Sequence, residues 1–421
     1  MNSSVRTLKY ACYTSNMSMS VVANLSPLLF LTFRSMYGIS YSLLGSLVLI
    51  NFFTQLLVDI VFSFFSHKFN IRKTVIVMPA LTVIGLWIFA LAPTVFSSNV
   101  YIGLVIGTVV FSAGCGLAEV LLSPVIAALP SDDPDREMSK LHSVYAWGVV
   151  GVVIFSTVFL SVFNAENWQW LAFIFSAMPF TSLVLFLRSE LPDMETPEKT
   201  SGALKLLKNS GLWLCVAAIF LGGAAECSMA QWVSGYLERA VGIPKIQGDI
   251  FGVALFSAML GMGRTLYAKK GKNIEKVLLM SAVGASLCYF TAVVSNVPVI
   301  GLLACAFTGF CTAMMWPGSL VVATDRFPKG GVFVFAMMAA GGDLGGSVGP
   351  QLVGVITDSV LANENALEIA NTLSLTPEQF GMKAGMFIGF IFSLIAIPVY
   401  YKIKKSSKNR ENAECRAQNA E

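Results

Sequence analysis

Twelve stretches of predominantly apolar residues follow one another along this chain, each near the ~20 residues that a helix needs to cross a bilayer. They run over 11–33, 42–65, 74–95, 99–129, 138–163, 168–187, 211–236, 250–268, 276–295, 298–324, 331–357 and 381–401. Inside lipid the backbone has no water to bond, so each stretch must satisfy its own peptide groups, which a helix does. The chain is expected to be an all-α membrane protein with twelve transmembrane helices. Composition removes the alternatives. Charged residues make up 12% of the 421 residues, about half the usual ~25% of soluble domains, too few to keep a surface wet. Disorder is excluded on the same ground. A net charge of +4 is too small to call for nucleic acid as a partner. The eight cysteines include no CxxC, so they read as small buried hydrophobes rather than metal ligands.

Orientation follows from the cations, which stay on the cytoplasmic side of short loops. With both termini cytoplasmic, the outer loops hold only Arg34, Arg239, Lys245 and Lys383. Apart from these and Arg264 inside the eighth stretch, 23 of the 28 Lys and Arg fall on the inner side. The longest outer loop, 358–380, is acidic. One inner loop differs from the rest: RSELPDMETPEKTSGALKLLKNS at 188–210 is charged and carries prolines. It divides the chain into a bundle of six helices over 1–187, a cytoplasmic linker over 188–210, a second six-helix bundle over 211–402 and a tail over 403–421. Two repeated halves are a transporter layout. Each half also has a basic inner loop after its second stretch, HKFNIRK at 67–73 and KKGKNIEK at 269–276.

Charges inside a membrane stretch cost a few kcal/mol or more, so each marks a functional position. Asp59, Glu119, Glu226 and Asp343 are such carboxylates, against one cation, Arg264. A carboxylate without a cation lowers its desolvation cost by holding a proton, so these four are the proton-coupling set. The same imbalance disfavours an anionic substrate. Glu226 is expected to contact substrate or to bond a neighbouring helix. A five-residue offset is about 140° of helical turn, so Glu226 and Gln231 should point apart unless the helix breaks. Asp59 and Asp343 are also read as gating residues, Asp343 bonding across the halves within a glycine-rich packing stretch. Arg264 should partner one of the acids. Aromatic faces and amides make the substrate-binding set: Trp316, Trp232, Gln231, Glu226, Trp147, Tyr145 and Asn24.

In SFFSHKFNIRK after the second stretch, Lys68, Arg72 and Lys73 stand among Ser63, His67 and Asn70. With the six-plus-six layout, this stretch resembles the signature of the major facilitator superfamily, where Gly, Asp and Gly are usual at those three positions. The resemblance covers essentially the whole chain and implies a gating role for Lys68, Arg72 and Lys73, to which Arg264 is added. The fourth stretch, SAGCGLAEVLLSPVIAALP, is similar to the fucose permease-like sugar–proton symporters. Glu119 and Pro124 match that branch, while Ser123 replaces an Asn. GGAAECSMAQWVSGYLE and FTGFCTAMMWPGSL resemble its seventh and tenth helices. The first stretch has only Asn16 and Asn24 where the branch carries a carboxylate.

No phosphate-binding loop, HExxH or GxSxG is present, so neither an enzyme nor an ATP-driven pump is expected. No cofactor or metal is implied. The expectation is a monomeric, multi-pass protein of the cell membrane, a bacterial inner membrane, whose partners are a small-molecule substrate, protons and membrane lipid. Its function would be proton-coupled import of a small neutral solute such as a sugar. A proton-driven exporter of hydrophobic cations is the alternative, and a non-transporting sensor a third. The topology can be checked directly. A cysteine introduced in 358–380 should react with an impermeant maleimide from outside, and one in 188–210 should not; the reverse pattern overturns the orientation.

Overall fold

The structure, a computed structural model, describes residues 3–65, 68–130, 134–192, 203–327 and 331–418. Residues 193–202 of the connector lie outside that set, as does His67 of the signature stretch. The regular elements are helical. The first group comprises α1 (Ser3–Leu28), α2 (Phe30–Tyr37), α3 (Tyr41–Phe65), α4 (Ile71–Val95), α5 (Val100–Ala127), α6 (Pro134–Phe163), α7 (Trp168–Phe175) and α8 (Ala177–Leu187). After the connector come α9 (Ser210–Arg239), α10 (Lys245–Gln247), a π-helix at Gly248–Ala254, α11 (Leu255–Lys270) and α12 (Ile274–Val294). The chain then runs through α13 (Pro298–Thr312), α14 (Met315–Arg326), α15 (Gly331–Leu361), α16 (Glu364–Thr372) and α17 (Pro377–Gln418).

Among the described residues, 10 helices are long and apolar enough to cross a membrane, or 11 when α1 and α2 count as one span. Those two meet at a 45° bend, where Pro27 removes a backbone donor from the helix ladder. The expected count of twelve is therefore not reached on this measure. The remaining position, 331–357, is occupied by α15, a helix of 31 residues and so long enough to span. Element boundaries have local causes. Asn70 and Asn209 cap α4 and α9 by accepting from the backbone N–H of Lys73 and Gly211. Pro298 opens α13 at a position whose N–H has no helical partner in any case. The tail, expected as a separate segment from 403, continues α17 as far as Gln418.

The helices before the connector pack chiefly on one another, as do those after it. The principal seam between the groups joins α3 to α15, and a second joins α6 to the π-helix. Small residues let the backbones close up: a Cβ at Gly354 of α15 would stand 2.2 Å from the Tyr41 carbonyl oxygen at the start of α3.

The polar contacts between the two groups gather at the end away from the chain termini. Asp358, near the end of α15, accepts from the backbone N–H of Tyr41 at 3.1 Å and of Ser42 at 2.6 Å. It thereby caps α3 from another element, and its charge suits a helix N-terminus. Glu378 of α17 faces Arg34 and Arg239, each at 3.5 Å, and accepts from the Tyr41 hydroxyl. The Arg34 guanidinium lies over the Tyr41 ring, 3.9 Å from its centroid. Thr157 of α6 donates to Asp249 in the π-helix at 3.2 Å. This end is closed.

Because these ties hold one end shut, loosening them should expose the interior from that side. Glu378→Gln and Asp358→Asn each remove a charged contact worth about 1 kcal/mol, equivalent to a roughly fivefold shift between closed and open forms. Labelling of Cys227, which lines the interior cavity, by an impermeant thiol reagent added from that side should rise to match. Unchanged labelling in both variants would show that the closure rests on packing alone.

Candidate functional site

A cavity of about 500 Å³ lies between the two groups of helices, within the ordinary size range for small-molecule sites. The first group supplies Asn24 from α1, Asn51 and Gln55 from α3, Glu119 from α5 and Tyr145 from α6. The second supplies Glu226 and Gln231 from α9, Arg264 from α11, Trp316 from α14 and Asp343 from α15. Glu119 is solvent-exposed inside the cavity although its helix is buried in the bundle. It makes no hydrogen bond or ion pair with the described residues. Asp343 is 5% exposed, and its Oδ2 is buried without a partner.

Asp59 does not line the cavity. Its Oδ1 is also buried and unpartnered, and it stands within electrostatic range of Glu119 and Asp343. These three acids thus form a loose group that spans both sets of helices. Asp343 was expected to bond across the halves; among the described residues it does not. The glycines flanking it press α15 so closely onto α9 that its side chain is turned to the cavity instead. At Gly345 a Cβ would stand 2.0 Å from the Phe220 carbonyl oxygen.

Arg264 finds its partner in Glu226. Its Nη2 donates to the two carboxylate oxygens at 3.0 and 3.3 Å, while its Nε donates to the Ala313 carbonyl at 3.1 Å. Ala313 lies at the break between α13 and α14, where helix carbonyls lose their usual donors. One side chain therefore satisfies both a cavity carboxylate and an interrupted helix. It belongs to the cavity wall, not to the α3–α4 connection and first turn of α4 where Lys68, Arg72 and Lys73 are exposed.

The helical offset between Glu226 and Gln231 is as the sequence gives it, and α9 is unbroken there. Both nevertheless line the cavity. With Cys227 and Ala230 they form one strip about 140° wide, and Glu226 and Gln231 are its two edges. A broad cavity accepts both without unwinding.

Two expected binding residues are elsewhere. Trp232 is 1% exposed, packed against Phe30 at 4.8 Å and Tyr41 at 5.9 Å. Its Nε1 donates to the Pro350 carbonyl at 2.9 Å. With its ring packed against two aromatic side chains and its N–H bonded, it closes the far end of the bundle, as one helical step from Gln231 turns it away from the cavity. Trp147 is 75% exposed and borders a separate groove between α1 and α6. Two residues on from Tyr145, it faces about 200° away from it around the helix.

Trp316 stays in the cavity, and its seat is unusual. Its ring lies against Gly342 and Gly223: a Cβ at Gly342 would stand 2.5 Å from Cζ2, and one at Gly223 3.0 Å from Cζ3. Two glycines on two helices thus leave the room that the six-membered ring of the indole occupies, and Trp316 borders the cavity.

Sequence reasoning missed Asn51, Gln55 and Ser257 in the lining, since residue type alone does not separate them from amides and hydroxyls that serve only packing. Asn51 is tied by Ser112 at 2.6 Å and Gln55 at 3.0 Å. It also missed Asp249, 2% exposed, which lies one residue before the eighth stretch was taken to begin.

A bundle of membrane helices in two groups, shut at one end around a polar cavity, is a solute carrier in architecture. The chain belongs to the Major Facilitator Superfamily, whose model matches residues 11–350. It is therefore a multi-pass membrane transporter working by alternating access, and not an enzyme. No curated protein matches the sequence. Among solved structures it is similar to a bacterial homolog of the human lysosomal transporter Spinster, inward-facing and occupied. That match has a TM-score of 0.74 and 15% identity, over 95% of this chain and 96% of that one. It is similar as well to the nucleoside transporter NupG (0.72, 13%, covering 95% and 99%) and to a D-xylose–proton symporter (0.71, 15%, covering 95% and 97%). The E. coli fucose–proton symporter gives 0.58 at 14% identity, covering 94% and 99%. The fucose permease branch is thus one of several structural neighbours, not a distinguished one.

The glycine seat makes a specific demand. Gly342→Ala should cost about 1–3 kcal/mol through overpacking, read as a lower thermal unfolding midpoint. Adding Trp316→Phe, a smaller ring, should recover part of the loss. If Gly342→Ala leaves the midpoint unchanged, the ring is not held as described.

Proposed function

We propose that the protein is a proton-coupled symporter that carries a small polar organic solute into the cell, with Glu119 as the coupling carboxylate. The observation that carries this reading is the position of Glu119, solvent-exposed inside the cavity and without a partner in the described residues. A carboxylate so placed exchanges protons with whichever side the cavity opens to. The Arg264–Glu226 pair is already neutralised, and Asp59 and Asp343 are reserves for the same proton. Both termini and the 188–210 connector are cytoplasmic in this reading, on the charge bias. The twelve-helix arrangement counts α15 as the eleventh span and divides the chain into bundles over 1–187 and 211–402. The closed end then faces outward, and the cell membrane is the natural location.

A sugar is the substrate suggested by the sequence, and a D-xylose–proton symporter among the structural neighbours supports that class. The alternative, export of hydrophobic cations, draws support from the surplus of acid in the cavity.

Coupling has a paired test. Gln resembles a protonated Glu in shape and charge but cannot release a proton. Glu119→Gln proteoliposomes should keep exchange of internal for external solute, which needs no net proton movement. Accumulation driven by a pH gradient should fall to background. Retention of both activities would move the coupling proton to another acid, and loss of both would make Glu119 a structural or binding residue.

A further inference from the structure

The cavity's charge is lopsided. Asp343 Oδ2 and Gln231 Oε1 are buried acceptors without partners, on residues 5% and 9% exposed, and both residues line the cavity. Several donors around them are already spent. Asn24 donates to the Ser20 carbonyl at 2.9 Å, Gln55 to Asn51 at 3.0 Å and Ser257 to the Val253 carbonyl at 2.9 Å. Arg264 is committed to Glu226 and to the Ala313 carbonyl. What the wall lacks is positive charge: with Glu226 matched by Arg264, Glu119 and Asp343 remain in excess.

We propose that the solute is an organic amine, its ammonium group received by Asp343 and Gln231 and its apolar body laid on Trp316. This rests on the carrier reading above and narrows its substrate class. An ammonium brings three donors and a positive charge, which answers the two unmatched carboxylates and the unpartnered Gln231 Oε1. A neutral polyol would leave both unmatched carboxylates without a counter-charge. A bare metal ion fits less well, because the described residues contain no acid cluster close enough to hold one. The rings suit a cation too. Trp316, Tyr145, Phe52 and Phe256 border the cavity, and an ammonium beside an aromatic face gains from the ring quadrupole. Glu119, on the opposite group of helices, stays free to carry the proton.

The test uses matched pairs that differ in the charged group: 2-phenylethylamine against 2-phenylethanol, and glucosamine against glucose. Dissociation constants are measured by calorimetry on the full-length protein in lipid nanodiscs near neutral pH. At least one ammonium member should bind ten times more tightly, or better, than its hydroxyl counterpart. Asp343→Asn should reduce that preference to near unity while leaving the elution profile and unfolding midpoint unchanged. Should that variant fail to fold, Gln231→Leu, which keeps every carboxylate, decides the matter by weakening the ammonium member severalfold. Equal or tighter binding of the hydroxyl members overturns the proposal, as does failure of both amines to bind, or a preference that survives the substitutions. A protein that binds and accumulates a neutral solute under a pH gradient would lose this inference and keep the carrier reading.

Discussion

Carboxylates are costly in a bilayer, and much of this molecule is arranged around meeting that cost. Glu119, Glu226 and Asp343 come from three different helices, yet all open onto one cavity. A membrane protein that keeps such groups must give them water, a counter-charge or a proton. The cavity supplies the first, Arg264 the second for Glu226 alone, and the remaining two acids are left for the third or for a charged solute. The closed end, with its aromatic packing and its carboxylate caps, is what makes the cavity one-sided rather than a channel.

Much of the fold was legible in the sequence because the signal is long and repeated. The bilayer fixes both the length and the apolarity of a span, and eleven of the twelve positions have a helix or helix pair that meets that test. The twelfth position is filled by α15, 31 residues long. It packs through glycine, which brings its backbone close to α3 and α9.

The site was legible in part. The four intramembrane acids and Arg264 stood out by cost alone, and four of those five residues line the cavity. Direction was harder. Trp232 and Gln231 are neighbours in sequence, but one closes the far end and the other faces the solute path. Residue type could not separate them, since aromatic rings serve packing and binding equally. The pairing of Arg264 was out of reach for a different reason: it depends on how α11 is rotated about its own axis, which is set by the residues that precede it.

Those residues form the π-helix at Gly248–Ala254, seven residues long. Its first turn is held by Asp249, bonded to Ser234, Lys245 and Thr157. A π-turn holds one residue more than an α-turn, and each residue is about 100° of azimuth. The face that α11 shows to the cavity is therefore set by a one-residue surplus near its start. Deleting a single residue within 250–254 would let the segment relax to α-helical winding and swing Arg264 about a quarter-turn away from Glu226. No charge in the sequence would change, yet Glu226 would join the unpaired acids. In this chain the electrostatics of the cavity are governed by the length of a segment as much as by the identity of the residues that line it.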